Sequence, residues 1–92
     1  MSRAYLYVFT LKNFDRKTVS EYLDTIEDVD TWFYSMPNSM FIVGNTTAKK
    51  LSSALIEKFG QHRHFITTVS KKDRAGWMPK KHWALFPKDS EA

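Results

Sequence analysis

The chain has no cysteine, and its 92 residues include only three glycines and three prolines. Without thiols there is no disulfide framework, no thiolate metal site and no cysteine nucleophile, and a reducing cytoplasmic setting is the expectation. Three glycines leave no room for a phosphate-cradling loop, and neither a nucleophile elbow nor a zinc-protease helix is present. No apolar run approaches the ~18 residues needed to cross a bilayer, so no membrane partner is expected. The opening Met1-Ser2-Arg3-Ala4-Tyr5 does not read as a signal peptide. Repeats, low-complexity tracts and linkers are missing too, which leaves one compact domain.

Aromatic residues are abundant: seven Phe, four Tyr and three Trp. Charge is uneven. Through Ala48 there are four basic and six acidic residues, a net of −2; from Lys49 onward there are ten basic and four acidic, a net of +6. Such asymmetry speaks to partners rather than to fold: a nucleic-acid surface, a basic face meeting an acidic one in an oligomer, or simply two solvated faces.

Periodicity supplies the elements. Residues 5–11, YLYVFTL, read as a first strand, rich in aromatic and β-branched side chains. Val19, Tyr22, Leu23 and Ile26 recur at helical spacing, predicting a helix over about 16–26 with Asp15 as its cap and Phe14 and Val19 as the flanking staple. Two extended runs, 29–35 and 40–43, flank Met36-Pro37-Asn38-Ser39, a hairpin turn with proline at its favoured second position. Thr46 or Thr47 then caps a second helix with Ala48, Leu51, Leu55 and Phe59 on one stripe and Gly60 at its stop. The strand pattern returns over 64–69. The order β-α-β-β-α-β predicts an α+β, ferredoxin-like fold: a four-stranded antiparallel sheet with two helices on one face. Strands one and three, the more apolar pair, belong in the centre. Residues 1–70 form this core, and 71–92 form a basic, Trp-containing C-terminal extension of the same domain.

Alternation in the first strand sends Leu6 and Val8 to one side and Tyr5, Tyr7 and Phe9 to the other. The small aliphatic pair suits the space beneath helices, which places the three rings on the open face. There they need a cover: a second copy in a homodimer, the C-terminal extension folded back as a lid, or stacked bases of a single-stranded nucleic acid. The RNA-recognition pattern of alternating glycine and aromatic residues is absent from Ser39-Met40-Phe41-Ile42-Val43-Gly44.

The most distinctive segment is 71–83, where Lys71, Lys72, Arg74, Lys80 and Lys81 face one acid, Asp73, and alternate with Trp77 and Trp83. These residues combine phosphate attraction with stacking surface. Gly76 permits a turn, and Pro79 starts a short helix running to Phe86. The packing alternative has both tryptophans anchoring the tail to the sheet while the lysines face water, and an anchored tail still displays its basic edge. His62 and His64 share one side of a strand, and His82 could complete a three-histidine site; ordinary surface histidines are the simpler reading, and no metal or other cofactor is expected. Glu21, Asp24 and Asp28 read as a solvated acidic face. No Ser-His-acid set emerges from spacing, so catalytic residues are not nominated.

In Trp32, Ser39-Met40-Phe41-Ile42-Val43, Thr47-Ala48-Lys49-Lys50-Leu51, Phe65 to Val69 and Gly76-Trp77, the chain resembles the small bacterial SinR-like proteins. Their ferredoxin-like superfamily includes the CRISPR-associated adaptation subunit, the VapD endoribonucleases and the GhoS antitoxin. The resemblance implies a homodimer packed around the sheet and, in the nuclease members, a metal-binding Asp ending strand one. This chain has Thr10-Leu11-Lys12-Asn13 there, and its first acid is the helix cap Asp15. The expectation is therefore a non-catalytic homodimer, a nucleic-acid-associated or regulatory scaffold with a basic C-terminal surface. A protein-interaction module and a metal-dependent endoribonuclease stand as alternatives.

Overall fold

The computed structural model describes residues 2–10 and 15–87. Its elements are β1 (Arg3–Phe9), α1 (Arg16–Leu23), β2 (Val29–Phe33), β3 (Ser39–Gly44), α2 (Ala48–Phe59), β4 (His64–Thr68) and the short α3 (Lys80–Trp83). The strands form one antiparallel sheet in the order β2-β3-β1-β4. This is an α+β architecture, consistent with a ferredoxin-like arrangement. β3 is buried along its whole length, as a central strand requires, whereas the edge strand β4 is largely exposed.

Each helix starts where a side chain satisfies free N–H groups. The Asp15 carboxylate accepts from the Thr18 N–H at 2.9 Å and from its hydroxyl at 2.9 Å. Those bonds hold its carboxyl below the usual range. Thr47 takes the same position for α2, accepting from the Lys50 N–H at 3.1 Å, and Gly60 ends that helix at a φ of 85°. α1 stops at Leu23, short of the predicted 26, and Ile26 enters a turn instead, its N–H donating to the Leu23 carbonyl at 3.1 Å. Phe14, the other half of the expected staple, lies outside the described residues, as do Leu11, Lys12 and Asn13.

Both longer helices contribute to one apolar layer: Val19 and Leu23 from α1 and Leu51 and Leu55 from α2 pack on Tyr5, Tyr7, Phe9, Met40 and Ile42 of the sheet. This corrects the expected placement of the rings. Tyr5, Tyr7 and Phe9 lie beneath the helices, and Leu6 and Val8 point to the opposite face. The reason is reach. The fully buried helix residues are the medium-sized aliphatics Val19, Leu23, Leu51 and Leu55, with Tyr22 and Phe59 at the margin, so rings from the sheet fill the layer, and the phenols find partners at its rim. Tyr5 Oη donates to the Thr46 carbonyl at 2.6 Å, and Tyr7 Oη lies 2.7 Å from His62 Nε2. Tyr7 and Phe9 stack with centroids 4.3 Å apart.

The opposite face carries a second apolar cluster of Ala4, Phe33, Phe41 and Val43, and Phe86 from the C-terminal segment closes it. Phe86 meets Phe33 and Phe41 edge-on at 5.3 and 5.2 Å. Leu6, Val69, Met78 and Trp83 pack around that cluster. The C-terminal segment of the same chain thus covers this part of the sheet. Among the described residues, no helix is long and apolar enough to cross a membrane.

Candidate nucleic-acid interface

The covering segment begins in a tight turn. Ser70 Oγ accepts from the Lys72 and Asp73 N–H groups at 3.2 and 2.8 Å, which fixes the chain direction where the basic run starts. It ends in α3, whose Pro79 stands before the first turn with its ring-fixed φ of −55°. The His82 imidazole bonds to the Ser35 hydroxyl through Nδ1 and tilts over the Phe33 ring at 5.4 Å. Trp83 lies 5.6 Å from Phe86. These contacts anchor the segment at its C-terminal half.

Trp77 is not an anchor. Of the two tryptophans expected to pin the tail, only Trp83 packs on the sheet, and Trp77 is 97% exposed. Lys72, Lys80 and Lys81 are exposed with it, while Lys71 and Arg74 are half-buried. The Arg74 guanidinium lies over the Phe86 ring, 4.6 Å from its centroid, so a charged group caps the apolar cluster. The expected basic residues therefore share one segment, but they divide into an outward set and an inward pair.

The inward pair belongs to a cavity of about 270 Å³ lined by Arg3, Lys71, Arg74, Ala4, Val69 and their neighbours. Arg3 comes from the start of β1 and was not among the predicted site residues; its separation of about seventy positions from Arg74 hid the juxtaposition. Thr68, Val69 and Arg74 also line a second, larger hollow of about 510 Å³ between the sheet and the tail, lined as well by Phe41, Trp77, Trp83 and Phe86.

The three histidines do not converge. His82 lies against Phe33 on the tail-covered face, whereas His62 and His64 stack 4.4 Å apart beside Tyr7 on the helix side. Hydrogen bonding assigns their tautomers. His62 Nδ1 is 2.9 Å from the Gly60 carbonyl and His64 Nδ1 is 2.8 Å from the His62 carbonyl, so both Nδ1 atoms carry hydrogen. Each Nε2 is left to accept, from Tyr7 and from Ser52 at 2.7 Å. Burial pushes the Tyr7 hydroxyl pKa up, which keeps it protonated as the donor. The Ser52–His64 pair was not legible from spacing. Its imidazole is oriented by a main-chain carbonyl rather than a carboxylate, so the third member of a hydrolytic triad is missing from the Nδ1 side. Among the described residues, no three His, Asp or Glu side chains stand together as a metal site.

Comparison with family models, with curated proteins and with solved structures finds no match to this chain.

Proposed function

We propose that the chain is a non-catalytic, nucleic-acid-associated module of ferredoxin-like architecture that presents its basic C-terminal segment to phosphate backbones. One observation carries this reading: Met78, Trp83 and Phe86 of the segment pack on the sheet, while Lys72, Lys80, Lys81 and Trp77 are exposed. Packing accounts for Phe86 and Trp83, but it does not account for an indole in water beside a row of lysines. Charge supplies the attraction, since each lysine that neutralises a phosphate releases condensed counterions.

Binding of labelled single-stranded and duplex oligonucleotides across a salt series tests the proposal. Affinity is expected to fall steeply as salt rises, and joint substitution of Lys72, Lys80 and Lys81 by Ala should flatten the logarithmic salt slope by about two. Absence of binding at low ionic strength overturns it.

A second reading, a self-association module, is favoured by a separate feature. Val8 and Phe65 pair across β1 and β4 on the tail-covered face and are 41% and 66% exposed. That strip is exposed on a face where the described part of the C-terminal segment packs on Phe33 and Phe41.

A further inference from the structure

The two hollows beside the C-terminal segment differ in chemistry and share Thr68, Val69 and Arg74 in their walls. The smaller one brings Arg3, Lys71 and Arg74 to a floor of Ala4 and Val69, and no acid is among the described residues that line it. The larger one is walled mainly by Leu6, Phe41, Met78, Trp83 and Phe86, with Asp73 as the acid among its described lining residues. Trp77 lines it and, with Met36 and Met78, a third hollow of about 330 Å³, and at 97% exposure its indole is open to solvent. A mainly apolar groove that borders a cationic hollow and carries an exposed ring sorts an amphipathic anion by its two halves.

We propose that these adjoining hollows form a nucleotide-binding basin for single-stranded nucleic acid. One backbone phosphate sits against Arg3, Lys71 and Arg74, and the adjoining base enters the groove and stacks on Trp77. The inference rests on the nucleic-acid reading above and names the form of nucleic acid and the residues that select it. Asp73 gives the site polarity, because its carboxylate disfavours a phosphate in the groove and leaves the Arg3 end for it. Single strands are selected because a base inside a duplex is already stacked and has no free face for the indole. Guanidinium groups suit the phosphate end, since two N–H donors in one plane match two phosphate oxygens.

Titration with a short oligothymidylate, followed by tryptophan fluorescence, tests this against a duplex of equal length. The single strand should bind more tightly and quench the emission. Trp77→Ala, at a residue exposed enough to leave the fold alone, should lose about tenfold in single-strand affinity and most of the quenching, with duplex binding unchanged. Arg3→Gln should flatten the single-strand salt slope by about 0.7, the share of one phosphate. Arg3 is the better arginine to change, because Arg74 also caps Phe86; an unchanged thermal melt of Arg3→Gln confirms that the fold is intact. If oligothymidylate binds but neither substitution alters affinity, quenching or slope, the basin is not the site, and the wider nucleic-acid reading survives. If nothing binds at low salt, both fall.

Discussion

Gly44 is the residue on which local geometry bears hardest. A methyl group there would lie 2.2 Å from the Asp28 carbonyl oxygen and 3.0 Å from Val29 Cα. Both neighbours are backbone, so no side-chain rotation relieves the clash. The crowding has a cause in the pairing of β2 with β3: Val29 opposes Gly44 and Thr31 opposes Val43, which leaves Asp30 as an extra residue and pulls the incoming turn onto the glycine. The Asn45 N–H donates to the same Asp28 carbonyl at 2.9 Å. Gly44→Ala should therefore cost about 1–3 kcal/mol, read as a lowered midpoint in thermal unfolding followed by circular dichroism. Gly76→Ala is the control, since its methyl meets only the Trp83 ring at an ordinary 3.7 Å. Equal midpoints for the two variants would show that the turn yields without loss.

At the scale of elements, Phe86 is the most deeply buried of the contacts that hold the C-terminal segment to the sheet. Phe86 is 4% exposed and touches rings from β2 and β3, while α3 itself has no buried residue. Phe86→Ala should remove about 3 kcal/mol, in the range of buried Phe truncations, and free the segment from the sheet. Increased binding of a hydrophobic dye at low temperature, with the strand signal retained, is the expected result; an unchanged melt and no dye binding would mean that Trp83 and Met78 hold the segment without it. Element order, both helix caps and the hairpin turn were legible in the sequence because each rests on neighbours within a few positions. Which face of β1 meets the helices was not. Alternation sorts Tyr5, Tyr7 and Phe9 from Leu6 and Val8 but carries no sign, and the sign was set by partners far along the chain: the Thr46 carbonyl, His62 and Phe86. The basic segment was legible as a run, whereas Arg3 joined it only through the pairing of β1 with β4, which brings Val69 to bond the Ala4 carbonyl at 2.8 Å.

For the molecule as a whole, the net charge of +4 acts in opposite senses on the two kinds of partner. Toward a polyanion it attracts, and added salt weakens the complex. Toward a second copy of the same chain it repels, and added salt screens that repulsion. The strip left for a second copy is small. Stable interfaces bury about 800 Å² per partner, whereas here the aromatic residues first expected to demand a cover are inside, and Val8 and Phe65 remain. Association across that strip is therefore expected to be weak, and β4 stands beside it as an edge strand of the described sheet. Sedimentation over a range of concentrations is expected to show monomer when dilute and a dimer fraction that grows with concentration and with salt. Phe65→Lys should abolish that fraction by placing a charge in the strip, while leaving oligothymidylate binding intact because Phe65 lies outside the basin. A dimer that persists in Phe65→Lys places the contact elsewhere on the surface. A monomer at every concentration removes the self-association reading and leaves the proposed nucleic-acid contact through the basic segment as the reading to test.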